Sequence, residues 1–306
     1  VCLLQAAVDR NGLLRMGPNV DFNAAVLSCA KTVIVEINRG FVAPAGGLAI
    51  DPNRIDYAFE SDASLPEIAP PQLDDASLRI GERVAGLIQD GDCLQTGIGA
   101  IPAAILGQLT HKNDLGLHGG LLDGGGQALI QSGNVTGQRK AIDQGQHVTG
   151  MALGDHAFFN WLSDASDVVF RSANYTHDVD IIRQLDQFVS INSAVEVDLF
   201  GQVNAEVAGG RQISGTGGSV DFMRAAKASK GGRSIVAMTA TARGGSVSRI
   251  VPKVEMVTAL RTDVDIVVTE FGVAHLKTLN HRDRVKAMIA LAAPDFRAEL
   301  SAMSGG

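Results

Sequence analysis

The sequence predicts an α/β protein whose sheets are largely parallel and covered on both faces. Two observations carry this reading. Short apolar runs, several rich in β-branched residues, alternate along the chain with runs of helical period, the pattern of strand, crossover and parallel strand. Glycine, 35 of the 306 residues, concentrates where those runs end, and strand ends are where such folds bind their ligands.

In chain order, VCLLQAAV (1–8) reads as a strand already under way at its first residue, with no initiator Met. The chain is therefore expected to be part of a longer polypeptide. Further strands are predicted at TVIVEI (32–37), CLQTGIG (93–99), VTGMAL (148–153), VVF (168–170), SIVAMTA (234–240) and DIVVTEF (265–271), each short, apolar and bounded by turn formers. Between them, Ile80, Val84, Leu87 and Ile88 fall at helical spacing behind the capping acids Asp74 and Asp75. A second helix carries Val285, Met288, Ile289 and Ala292, opens near Asn280 and is stopped by Pro294. The proline-rich stretch LPEIAPP (65–71) is the expected boundary. It divides a partial N-terminal domain, residues 1–74, from a complete C-terminal one, residues 75–306.

Composition narrows the function. The net charge of -7, with no run of Lys or Arg, leaves no electrostatic footprint for nucleic acid. No apolar run approaches the roughly 20 residues needed to span a bilayer. Cys2, Cys29 and Cys93 lack CxxC spacing, so neither a disulfide framework nor a zinc cluster is encoded. A soluble protein of a reducing, cytoplasmic compartment is expected. The seven histidines show no ligand spacing and no Ser or Cys sits in a GxSxG elbow, so metal and triad chemistry are not predicted.

The glycine turns carry the candidate binding residues. TGIGAIP (96–102) follows a strand and precedes an apolar helix, so Gly97 and Gly99 would let backbone amides face a ligand; a tight turn explains them equally well. SGTGG (214–218) offers Gly215, Thr216, Gly217 and Gly218 just before the helical pattern SVDFMRAA. Such a loop suits a phosphate or an oxyanion, with a surface turn as the plain alternative. Glu196 and Asp198 alternate onto one face of a predicted strand, a placement open to acid–base work or to simple solvation. Glu270 ends an otherwise uncharged strand, where a carboxylate needs a partner or a ligand. LGLHGGLLDGGGQ (115–127) packs Gly119, Gly120, Gly124, Gly125 and Gly126 into one short stretch.

With these residues in view the chain resembles the acetyl-CoA hydrolase/transferase family, among the family I CoA-transferases that include 4-hydroxybutyrate CoA-transferase. The matching stretches are IDYAFE with LPE, LQTGIGAIP, LGLH, INSAVEVDLFGQVNAE, SGTGGSVDFMRAA, GGSVSRIVP, VTEFGVAHL and APDFR, in family order over nearly the whole chain. The resemblance implies two CoA-transferase-type α/β domains, the N-terminal one incomplete here because members carry a longer N-terminal part. It also implies acyl-CoA and a small carboxylic acid as substrates, no metal, and a homodimer. Family enzymes attack the thioester with a glutamate, forming an acyl-glutamyl anhydride and then a glutamyl-CoA thioester, while glycine amides hold the oxyanion. On this footing Gly97 and Gly99 are expected near the acyl and pantetheine end, and Gly215, Thr216, Gly217 and Gly218 at the oxyanion or CoA. Glu270 would be an auxiliary polar group, and Lys253 or Arg249 would meet CoA phosphates.

The resemblance also marks a gap. Relatives place the nucleophile in a His-Thr-Glu-Met type segment, whereas this chain reads Leu117-His118-Gly119-Gly120-Leu121. Gly120 sits where the glutamate is expected. His275 likewise stands where relatives usually carry an acidic residue. Three readings follow: hydrolysis by water, with Asp123, Glu196 or Glu270 as base; normal transfer with Glu196 as nucleophile; or acyl-CoA binding without turnover.

Overall fold

The computed structural model describes residues 1–304 and has the expected mixed α/β architecture with largely parallel sheets. The first sheet has the order β2-β1-β3-β4. Its β1 (Cys2–Val8) is antiparallel to β2 (Leu14–Met16) and parallel to β3 (Val33–Asn38), which pairs in parallel with β4 (Tyr57–Ser61). A short helix, α1 (Asn23–Cys29), connects β2 to β3. Leu4, Ala6, Val33 and Val35 point inward and join one hydrophobic cluster with Ile80, Val84, Ile88 and Leu94. That cluster runs past residues 62–74, the irregular stretch holding LPEIAPP.

Beyond that stretch, α2 (Asp75–Ala85) begins where Asp74 accepts a hydrogen bond from the Ser77 amide, the capping arrangement its sequence predicts. The second sheet has six strands. In spatial order they are Gly272–His275, Ile266–Thr269, Arg233–Ala237, Phe188–Asn192, β5 (Cys93–Thr96) and β6 (Gly116–Leu117), all parallel except the first pair. The chain enters at β5, passes through α3 (Ala100–Gly107) to β6 on one side, and later returns to Phe188–Asn192 on the other. Strand order therefore reverses between β5 and Phe188–Asn192, and a crevice opens beyond their carboxyl ends.

Three local features depart from or add to the sequence reading. VTGMAL is not one strand but two, His147–Thr149 and Met151–Ala152. Gly150 interrupts it because its carbonyl accepts from the amides of Val20 and Asp21 in the N-terminal part. Pro294 does follow the helix His281–Leu291, but it also opens a further one, Pro294–Met303, since its missing N–H costs nothing in a first turn. Finally, Gly124, Gly125 and Gly126 form the first turn of α4 (Gly124–Gln131), whose cap is Asp123. Among the described residues no helix is long and apolar enough to cross a membrane.

Next to the crevice, His118 and Lys140 are buried. Lys140 Nζ donates to the carbonyls of Leu117 (3.2 Å) and Gln146 (2.8 Å). Burial, reinforced by that ammonium, pushes the His118 imidazole from its ordinary 6.5 down to about 3. Below the ordinary value the unfolded chain takes up this proton and the native state does not, so stability falls as pH drops from about 6.5 toward 3. The full loss is on the order of 5 kcal/mol. Replacing His118 by Leu is expected to remove that share of the acid sensitivity, read as urea midpoint against pH. An unchanged slope in the variant would refute the assignment.

Candidate active site

The crevice is a cleft of about 760 Å³. Its floor is a reciprocal amide pair on adjacent strands: Gln95 Nε2 donates to Asn192 Oδ1 (3.3 Å), and Asn192 Nδ2 donates to Gln95 Oε1 (3.1 Å). Both side chains are buried. The turn after β5 brings Gly97 and Ile98 onto the cleft, and Gly99 follows at φ 108°, a backbone that favours glycine, as the cap of α3.

Gly120 is held rigidly. The amide of Gly119 donates to Val148, and the carbonyl of Gly120 accepts from Met151 at 2.9 Å. Across from it, the loop 214–218 delivers Gly217 (φ 58°) and Gly218 to the N-terminus of the helix Ser219–Ala228. Between Gly120 and Gly218 stands the imidazole of His177. A Cβ added to Gly120 would lie 2.9 Å from its Cε1 and 3.1 Å from its Nε2; one added to Gly218 would lie 2.2 Å from Cδ2 and 2.4 Å from Nε2. Real Cβ atoms do not come within 3.0 Å of another heavy atom, so with the ring in this position both residues are confined to glycine. Phe222 braces it, with ring centroids 4.5 Å apart. His177 Nδ1 and Thr176 Oγ1 are 2.8 Å apart.

The sequence-predicted residues divide into three groups. Gly97, Gly120, Gly217 and Gly218 line the cleft. Gly99 and Asp123 line a neighbouring cavity of about 480 Å³, whose apolar walls include Pro70, Pro71 and Phe158 and which shares Ile98 and Leu153 with the cleft. The Asp123 carboxylate caps α4, accepting from the amides of Gly125 (3.0 Å) and Gly126 (3.1 Å). Burial raises its pKa.

The remaining residues lie off the cleft lining. Glu196 stands on a three-stranded sheet, where its Oε1 accepts from Asn204 Nδ2 and from the Glu255 amide, both at 3.0 Å. Asp198 is buried and holds the following turn through the amides of Phe200 and Gln202. Glu270 accepts from the Ala240 amide at 2.8 Å. Arg249 spends its donors on the carbonyls of Ala194 and Val195 and on Thr239 Oγ1, and burial lowers its pKa against the opposing charge of Glu270. Gly215, Thr216 and Lys253 are exposed. Sequence reasoning passed over His177, Gln95 and Asn192. Asn192 sits inside the quoted INSAVEV stretch, where only the carboxylates drew attention.

A cleft at the reversal of a parallel sheet, floored by amides and edged by glycine backbone, is where α/β proteins of this class bind their ligands. The Acetyl-CoA hydrolase/transferase C-terminal domain matches residues 154–304. The 4-hydroxybutyrate coenzyme A transferase of Clostridium kluyveri is 40% identical over 304 residues, covering 98% of this chain and 71% of that protein. The crystal structure of RipA from Yersinia pestis superposes with a TM-score of 0.91 at 37% identity, covering 99% of this chain and 69% of that one. That of 4-hydroxybutyrate CoA-transferase from Porphyromonas gingivalis gives 0.88 at 35%, covering 98% and 73%. This chain belongs to the acetyl-CoA hydrolase/transferase family.

Proposed function

We propose that this protein hydrolyses acyl-CoA thioesters, with water taking the place that a protein carboxylate holds in a CoA-transferase. One observation carries the reading: the site expected to bear the nucleophilic glutamate is Gly120, and the space beside it is filled by an imidazole. A glycine offers nothing to form an anhydride, so the family's covalent route for handing CoA to a second acid cannot start at this position. The two carboxylates on the cleft wall, Asp21 and Asp221, leave the slot itself to the ring; Asp221 is exposed in the first turn of its helix. The thioester carbonyl would lie over Gly120, with its developing oxyanion toward the backbone amides near Gly217 and Gly218. The reading extends to a cytoplasmic homodimer that needs CoA only as part of its substrate.

The test is release of free thiol from a panel of short acyl-CoAs, with and without added acetate. Turnover that ignores acetate is expected. Acetate-dependent exchange with ping-pong kinetics would instead mean transfer from another nucleophile, with the cleft carboxylates Asp21 and Asp221 the first to replace. Tight CoA binding without turnover would make the protein a binding homologue.

A further inference from the structure

Of the titratable groups lining the cleft, Asp21, Asp221 and His177, the last is the one whose side chain stands against Gly120. His177 lies in a slot formed by two absent side chains, its Nε2 within 3.1 Å of the Cβ position at Gly120 and within 2.4 Å of that at Gly218. Its other nitrogen is tied to Thr176 Oγ1 at 2.8 Å. The Thr176 hydroxyl has the Ser172 carbonyl 3.5 Å away as an acceptor, so its oxygen can accept from Nδ1–H, and in this tautomer, the one a base at this position needs, the lone pair is on Nε2. Among the described residues Nε2 has no hydrogen-bond partner, and the ring lines the cleft.

We infer that His177 is the general base of the hydrolytic reaction, standing where the family's glutamate would otherwise act. This rests on the hydrolytic reading above. Nε2 takes a proton from a water molecule as the water oxygen bonds to the thioester carbonyl carbon. The tetrahedral oxyanion collapses, the carbon–sulfur bond breaks, and the departing thiolate takes the proton back from Nε2. One water and one acyl-CoA give one carboxylic acid and one free CoA thiol, with the imidazole returned to its starting state.

Burial holds the ring below the ordinary histidine pKa. Asp21, from the segment before α1, and Asp221, from the helix after the glycine loop, oppose that shift; His118 is the other titratable group that senses this ring. The base is therefore competent at neutral pH. Activity is expected to fall on an acid limb below pH 6.5, and Asp221→Asn should move that limb further down.

The experiment measures steady-state hydrolysis of the best acyl-CoA by wild type, His177→Ala and His177→Gln across pH. The expected result is a fall in kcat of about 100-fold or more in both variants, with KM little changed and the acid limb lost. Added imidazole should restore turnover to the Ala variant but not to the Gln variant, whose side chain fills the slot without a base. Variants that hydrolyse within about threefold of wild type on the same acid limb would overturn the role of His177 while leaving the hydrolase standing. A wild type that releases thiol only with an acceptor acid would overturn both.

Discussion

Gly120→Glu on its own is expected to lower hydrolysis without producing CoA exchange, whereas the same change combined with His177→Gly is expected to create acetate-dependent exchange. The reason is steric before it is chemical. The first side-chain atom at position 120 would already press on His177 Cε1 at 2.9 Å. Gly218 lies against the ring's far edge and Phe222 beside it, so the ring can give way only by swinging into the cleft that it lines. A glutamate added to the intact slot must therefore take an off-rotamer path, or push the ring and the loop apart, at a cost of about 1–3 kcal/mol. Emptying the slot lets the carboxylate extend into the cleft, where it can form the acyl anhydride. Butyryl-CoA and acetate, followed by chromatography of acetyl-CoA, give the readout. Exchange in the double variant should exceed that of the single variant by about tenfold or more, some 1.4 kcal/mol in barrier. Equal exchange in the two would show that the ring does not guard position 120.

Arg233→Met is expected to cost about 3–5 kcal/mol of stability, the largest loss anticipated for a single substitution away from the cleft. Asp92, at the entrance to β5, is fully buried. Its Oδ2 accepts from the Gln89 amide at 2.7 Å and from the guanidinium of Arg233, and among the described residues its Oδ1 has no partner. Burial already pushes the Asp92 carboxyl up, with Arg233 holding it down. Without Arg233 a buried charge is left uncompensated. A carboxyl whose folded pKa lies above its unfolded one binds its proton more tightly in the native state, so the deficit should narrow as pH is lowered from neutral. Adding Asp92→Leu to Arg233→Met should recover most of the loss, because an apolar pair demands no partner. Urea midpoints at two pH values decide it, and a single variant as stable as wild type would refute the account.

What the sequence made legible is what depends on neighbours in the chain. The strand TVIVEI, the Asp74 cap and the helix behind Asn280 each follow from period and capping chemistry within a few residues, and each appears within a residue or two of its expected place. The glycines of TGIGAIP and SGTGG also announce themselves, since a strand-to-helix turn needs backbone freedom. VTGMAL misleads because the carbonyl that breaks it is claimed by Val20 and Asp21, residues far away in the chain. His177 was invisible for the same reason. Nothing near it in sequence marks it, and its meaning comes from side chains missing at Gly120 and Gly218, which only the fold brings to it. The Glu196 and Glu270 carboxylates show the reverse: conspicuous in sequence, they are engaged by the amides of Glu255 and Ala240.

The cleft draws its walls from segments far apart in the chain, among them Asp21, Phe22 and Ala25 on one side and Gly217, Gly218, Ser219, Asp221 and Phe222 on another. A ligand seated there works as a reversible cross-link, and by mass action its binding free energy becomes resistance to unfolding. At a concentration one hundred times its Kd, that amounts to roughly 2.7 kcal/mol. Saturation with a CoA thioester should therefore raise Tm and slow amide exchange in the first sheet, whose strands β1 to β4 supply none of the cleft's lining residues.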